Sequence, residues 1–382
     1  MRGNITRRGK ASWRLKFETG VDPLTGRRQT RYVTVRGKRQ AAERELTRLL
    51  GEADKGMLVE SSKVTVAECI TAWLDGANGL SPKTAERYRQ LAVQQIIPHL
   101  GAVELQKLKP SQVQDWHGMI MRGGGKGGRP LCARTVGHAH RVLHRALQRA
   151  VENETLPRNV ASLIRPPKVE AQEIEILNSH EIGVVLGKLE GHALYPIVAL
   201  AVATGMRRGE LLALRWQDVD LVAATVRVER ALEETGAGLR FKAPKSRHGR
   251  RTISLPSSAI STLRAHRLKQ LELRVVLGKG KLEPDALIFS NIDGLPLSPD
   301  NLSRDWRRAV AARDLPKVKF HGLHHTHASV LIASGLDVLT VSRRLGHGSP
   351  VVTLNTYAHL FAKTDEKAAD AIEAALRTRA EQ

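Results

Sequence analysis

Ala203-Thr-Gly-Met-Arg207-Arg-Gly-Glu210-Leu-Leu-Ala-Leu-Arg215-Trp216 lies just past the middle of a 382-residue chain. The apolar run Ala193 to Ala203, interrupted by Pro196, reads as a helix that Thr204-Gly205 ends. A new helix then starts, and the spacing predicts Arg207 in its first turn. An arginine there opposes the helix dipole but stands beside helix-start amides, a good place to grip a phosphate. Glu210, one turn on, can hold that arginine in place. For either residue alone, a surface ion pair is the ordinary meaning.

The rest of the composition favours an anionic partner. Lys and Arg number 61 against 38 Asp and Glu, a formal charge of +23, which points to a polyanion and to nucleic acid before a membrane surface. Apolar residues make up 41% of the chain, enough to fill real cores and exclude global disorder. The two cysteines, Cys69 and Cys132, cannot build a disulfide framework or a four-thiolate zinc site, and a reducing, cytoplasmic compartment fits them. No signal peptide is read at the N-terminus, and no apolar run approaches the ~20 residues of a membrane helix.

Length and patterning predict three units. Residues 1–60 begin with twelve Lys/Arg and two acids in the first forty. They hold three short β segments (Ser12–Phe17, Arg28–Thr34 and the TVRG closing at Gly37) and a helix from Ala41 to Leu50. A linker, Gly51 to Lys63, follows. Residues 64–165 read as a helical bundle: a capping box at Thr65–Glu68, helices opened by Ser81-Pro82 and Pro110-Ser111, and a long helix from about Ala133 to Val151. The basic residues Arg7, Arg8, Lys10 and Arg14 of the first unit and Arg134, Arg141 and Arg145 of the second are candidates for DNA contact. Residues 175–382 combine helices with strands at Thr225–Val228, Leu239–Phe241 and Arg251–Leu255, the last two forming a hairpin. Helices resume after Ser298-Pro299. The fold class is thus multidomain and mainly α with small β-sheets.

Three further segments carry candidate chemistry. Lys245, on the expected hairpin tip, can reach into a groove and protonate a leaving oxygen. His321-Gly-Leu-His324-His325-Thr-His327 places four histidines within seven residues. A metal site is disfavoured there because no nearby carboxylate or cysteine completes it. Leu345-Gly-His347 is followed ten residues later by Tyr357, one of four tyrosines, in a segment that reads as polar and poor in helix. No P-loop and no His-Glu-x-x-His occurs.

Taken in order, these segments resemble the tyrosine recombinase family, the phage-type integrases. The pattern there is Thr-Gly-x-Arg-x-x-Glu, a hairpin lysine, His-x-x-Arg, Leu-Gly-His and a terminal tyrosine. Arg207, Glu210, Lys245, His321, His347 and Tyr357 match it, and the resemblance covers the whole chain. It implies arm-type and core-binding DNA-binding domains ahead of an α+β catalytic domain. It also implies a site-specific recombinase of a mobile element that needs no cofactor or metal. Tyr357 would attack a phosphodiester to form a 3′-phosphotyrosyl link, with Arg207 neutralising non-bridging oxygens. Lys245 would protonate the departing 5′ oxygen, His321 would assist Tyr357 deprotonation and His347 would bond the phosphoryl oxygen. Family behaviour implies double-stranded DNA (core and arm sites) as partner and a homotetramer exchanging strands through a Holliday junction. Excisionase and a DNA-bending host factor are possible further partners. An amphipathic helix at Asp365–Arg377 would serve protomer contacts or its own domain.

One position departs. His324 stands where the family has its second arginine, and His325 matches the histidine that follows that arginine. Imidazole offers one donor per face and is mostly neutral at pH 7, whereas guanidinium is a charged fork. Losing such a donor costs on the order of 10²–10³ in rate. A natural variant with His324 in the role, a chain altered to slow cleavage and a degenerate copy all fit the sequence. A type IB-like topoisomerase and a non-catalytic DNA-binding protein are the alternative functions.

Overall fold

The structure, a computed structural model, describes residues 3–21, 28–54, 59, 61–170, 174–244, 247–361, 372, 373 and 376. It divides into two compact units, residues 1–170 and 171–382.

The first unit opens with an antiparallel sheet, β1 (Gly3–Gly9), β2 (Ser12–Val21) and β3 (Arg28–Arg36), in that order, backed by α1 (Arg39–Asp54). Alternation along β2 turns Leu15 and Phe17 inward, where they pack with Ala42, Leu46 and Leu49 of α1. The sequence reading misplaced one strand. TVRG is no separate element, because Thr34 to Arg36 finish β3 and Gly37, at φ +132°, turns the chain. The third strand is instead Gly3–Gly9, whose one apolar residue, Ile5, faces Leu15. The helix also continues four residues past Leu50 into the expected linker.

A helical bundle follows: α2 (Val66–Asp75), α3 (Pro82–Leu91), α4 (Ile97–Leu100), α5 (Pro110–Gly123) and α6 (Ala133–Glu152). The Thr65–Glu68 capping box forms, with the Glu68 carboxylate accepting from the Thr65 amide at 2.8 Å and the Thr65 hydroxyl accepting from the Glu68 amide at 3.3 Å. A π-helical turn, Ala92–Ile96, joins α3 to α4, and the indole of buried Trp116 donates to the Gln95 carbonyl there at 2.7 Å. Ile70, Leu91, Ile96, Leu143 and Leu147 share one buried core with Trp116. Burying each such side chain contributes ~1.5–3 kcal/mol.

The second unit runs α7 (Ser179–Leu189), α8 (Tyr195–Thr204), α9 (Arg208–Leu211), β4 (Val219–Asp220), β5 (Thr225–Val228), β6 (Ala231–Thr235), β7 (Gly238–Lys242), β8 (Arg251–Ser254), α10 (Ser257–Val276), α11 (Pro299–Ala312), α12 (Gly322–Ala333), α13 (Val338–Leu345) and α14 (Pro350–Phe361). Two antiparallel sheets form, β4-β5-β8 and β6-β7. The strand containing Leu239–Phe241 therefore pairs with Ala231–Thr235, and β8 pairs with β5. Strands β7 and β8 thus belong to different sheets and do not form the expected hairpin. Helix α10, which the sequence reading passed over, buries only Ala259, Ile260 and Leu263 in its first half. Tyr357 lies in helix α14, contrary to the helix-poor reading of its surroundings. Lys245 and most of the expected 365–377 helix fall outside the described residues.

In the bundle, His117 of α5 and His140 of α6 are both buried and hydrogen-bond through Nε2 and Nδ1 at 3.1 Å. Burial, followed by His117 and His144, pushes His140 from 6.5 down to about 4. The unfolded chain therefore binds more protons between those values, and stability falls as pH drops from 6.5 towards 4. Thermal melts across that range should show the helical unit losing stability with acid, and His140→Gln should flatten the decline.

Candidate functional site

Arg207 does not sit in a first turn. It is the extended residue before α9, at φ −72° and ψ 152°. Helix α8 ends at Gly205, whose φ of +64° is left-handed; an added Cβ there would stand 2.5 Å from the His327 ring. The sharp exit lets the Arg207 side chain turn back towards the carboxylate of Glu210. The Arg207 amide donates to Glu210 Oε2 at 3.0 Å and its Nη1 to Oε1 at 3.1 Å. Nη1 and Nη2 of Arg207 also donate to the Gly346 carbonyl at 3.4 Å.

Glu210 is 4% exposed and takes a second guanidinium. Arg251 of β8 donates from Nη2 to Oε2 at 2.9 Å and from Nη1 to Oε1 at 3.3 Å, while its Nε donates to the Arg344 carbonyl at 2.7 Å. Arg344 in turn donates to His327 Nε2 at 3.0 Å and to the carbonyls of Ala203 and Ser254. One buried carboxylate thus fixes Arg207 and Arg251, and through them α9, β8 and the end of α13. Sequence reasoning missed the part of Arg251, which it read only as the start of the strand Arg251–Leu255.

The histidines line the remainder. His321 precedes α12, and its ring stacks on His324 (centroids 5.1 Å, planes 11° apart) and meets His325 edge-on at 4.8 Å. His324 is buried, and its Nδ1–H donates to the Gly205 carbonyl at 2.5 Å. Burial, then Arg207, His321 and His325, hold it well below 6.5. It is therefore neutral at pH 7, with only an acceptor lone pair left on Nε2, and it donates to a phosphate only once protonated. His347, after the left-handed Gly346 (φ +66°), bonds the Thr353 hydroxyl at 2.7 Å, and burial followed by Arg207 and Arg251 lowers it to about 4. Among the described residues no group of three or more potential ligands can hold a metal ion.

Tyr357 is 1% exposed, packed among Ala328, Ile332, Val341 and Leu345. Burial raises its phenol above the ordinary value. Its one described polar contact is His325 Nδ1, 2.6 Å from the phenolic oxygen. The histidine in contact with Tyr357 is therefore His325, which the site expectations omitted, and not His321. Spacing gave no sign of it, because α12 and α14 meet only in the folded chain.

The expected DNA contacts are scattered. Arg14 lies on the sheet face opposite Leu15, with its guanidinium 4.2 Å from the Tyr32 ring centroid, whereas Arg7 sits over Trp13 on the other face. Arg8 falls at the irregularity between Arg7 and Gly9, and Lys10 in the turn after β1. Arg134, Arg141 and Arg145 are exposed on one face of α6, the last 5.9 Å from the Tyr88 ring centroid.

Breaking the central ion pair tests this geometry. Glu210→Ala leaves Arg251 buried without its counter-charge, which costs about 3–5 kcal/mol. Calorimetry on the full chain should show the transition of the second unit moving to markedly lower temperature.

The phage integrase family matches residues 171–364, and its N-terminal SAM-like domain matches residues 65–120. A tyrosine recombinase XerC-like protein of Caldanaerobacter subterraneus is 26% identical, over 97% of each chain. The ICEBs1 integrase of Bacillus subtilis is 24% identical over 93% of this chain and 95% of its own. In fold, the chain resembles the Tn1549 transposon integrase solved with a circular intermediate DNA, with a TM-score of 0.67 at 20% identity over 81% of this chain and 99% of that one. It also resembles the lambda integrase tetramer bound to a Holliday junction, with a TM-score of 0.54 at 20% identity over 91% and 92%. No helix among the described residues is long and apolar enough to cross a membrane. The chain belongs to the phage integrase family and is a tyrosine site-specific recombinase.

Proposed function

We propose that the chain cuts and rejoins double-stranded DNA of a mobile element, with Tyr357 as nucleophile and a 3′-phosphotyrosyl intermediate. The observation that carries this reading is the Tyr357 phenol, buried against His325, on the unit that holds Arg207 to Glu210. Arg207, anchored at one edge, presents its remaining donors to the non-bridging oxygens as charge grows on phosphorus. His347 bonds the phosphoryl oxygen, His321 completes the donor wall, and Lys245 protonates the departing 5′ oxygen. The bond energy stays in the phosphotyrosine and returns on rejoining, so no nucleotide is consumed.

Residues 1–60 act as the arm-type DNA-binding domain, 64–165 as the core-binding domain and 175–382 as the catalytic domain. The exposed arginines of α6 and the outward face of the sheet supply phosphate contacts. Four copies assemble on two DNA sites, in keeping with the tetramer and Holliday junction of lambda integrase. Excisionase and a DNA-bending host factor act as accessory partners. The place of action is the bacterial cytoplasm, on the nucleoid. The names of the relatives do not favour a topoisomerase or a non-catalytic binding protein.

On nicked duplexes tiled across the DNA flanking the coding sequence, the wild-type chain should form covalent adducts and Tyr357→Phe none. Adducts persisting in Tyr357→Phe would overturn the assignment.

His324 joins the phosphate-binding set only as an imidazolium, and burial holds it neutral in the free enzyme. Its contribution is therefore present at low pH and lost as pH rises. His324→Arg should raise cleavage by about 10²–10³ at neutral pH and remove that decline. An unchanged or lower rate would mark the histidine as the evolved residue.

A further inference from the structure

We infer that His325 is a catalytic residue, the general base that takes the phenolic proton of Tyr357 as it attacks. This rests on the recombinase reading above and adds to it the one group already in contact with the reacting oxygen.

The argument starts from the surroundings of the phenol. Tyr357 is enclosed by aliphatic side chains, so its hydroxyl must find a partner inside the protein. Its partner is Nδ1 of His325, at 2.6 Å. Burial raises the phenol and lowers His325 to about 4, so at neutral pH the phenol keeps its proton and the imidazole is uncharged. The phenol O–H therefore donates, and the Nδ1 lone pair accepts. That is the ground-state hydrogen bond along which a proton moves to a general base.

The surroundings also set when the transfer happens. The His325 ring lies 4.8 Å from His321 and 5.6 Å from His324, and Arg207 stands near enough to shift Tyr357. With no phosphate present, burial and then the neighbouring His321 and His347 disfavour a positive charge on His325. A phosphodiester anion gripped by Arg207 opposes this and stabilises the imidazolium. His325 thus becomes a competent base when substrate is in place.

The step balances. The proton on the phenolic oxygen passes to His325 Nδ1, and the freed electron pair forms the oxygen–phosphorus bond. The bond from phosphorus to the 5′ oxygen breaks with its electron pair on that oxygen, which is protonated from the leaving-group side. In rejoining, a 5′ hydroxyl attacks phosphorus after giving up its proton there, and Tyr357 departs and recovers its proton from His325.

The alternative is that His325 only satisfies a buried hydroxyl, and the test separates the two. Full-length wild type, His325→Ala, His325→Gln and Tyr357→Phe are compared on the nicked duplexes, with unfolding temperature and DNA affinity measured in parallel. His325→Ala should lose about 10²-fold or more in adduct formation with DNA affinity kept. Added imidazole should restore part of that rate, and so should replacing Tyr357 with a more acidic fluorotyrosine. A bridging 5′-phosphorothiolate, which needs no leaving-group acid, should not. His325→Gln keeps a polar side chain but no base, and should stay slow. Adduct formation within twofold of wild type in His325→Ala overturns the proposal. So does a loss that the phosphorothiolate repairs, or one that neither imidazole nor fluorotyrosine relieves. A wild-type chain that forms no Tyr357-dependent adduct overturns the recombinase reading, and this inference with it.

Discussion

A single buried carboxylate organises the second unit. Glu210 is almost without solvent, and a carboxylate there is tolerable only because two guanidinium groups and a backbone amide satisfy it. Arg207 is fixed along one edge by that carboxylate and by the Gly346 carbonyl. Arg251 provides the second counter-charge and extends the network to Arg344. Arg344 then closes on His327 and on carbonyls at the ends of α8 and β8. Elements far apart in sequence are brought to one point because each contributes one member of a charge-balanced set.

Two left-handed glycines make that set possible. Gly205 ends α8 and Gly346 ends α13, and each turns a carbonyl towards the site, one receiving His324 and the other Arg207. Space is as restrictive as the dihedral angle: a Cβ on Gly346 would lie 2.6 Å from Arg251 Nη1. The Thr-Gly and Leu-Gly-His signatures therefore record where the backbone must reverse while lending an acceptor.

Much of this was legible in the sequence, and what was not has physical reasons. Arg207 and Glu210 belong to one local turn, so spacing alone brings them together. Capping boxes and amphipathic periods likewise place most helices. The pairing of β7 with β6 instead of β8 is non-local, and no local pattern reports it. Strand β1 carries four polar or charged residues for its one inward apolar side chain, Ile5, and so reads as a tail until β2 is laid beside it. Helix α14 contains Val351, Val352, Thr353 and Thr356, β-branched residues with low helical propensity, and is held by packing. The contact between His325 and Tyr357 joins two helices across 32 positions, beyond any periodicity.

The anchoring of His324 to the Gly205 carbonyl has a consequence for the enzyme before it meets its target. An arginine there would hold a permanent charge beside every phosphate that the protein passes. The tethered imidazole is instead held uncharged by its burial. The resting pocket is one unit less positive than an arginine pocket would be, so charge alone holds a passing phosphate there less strongly.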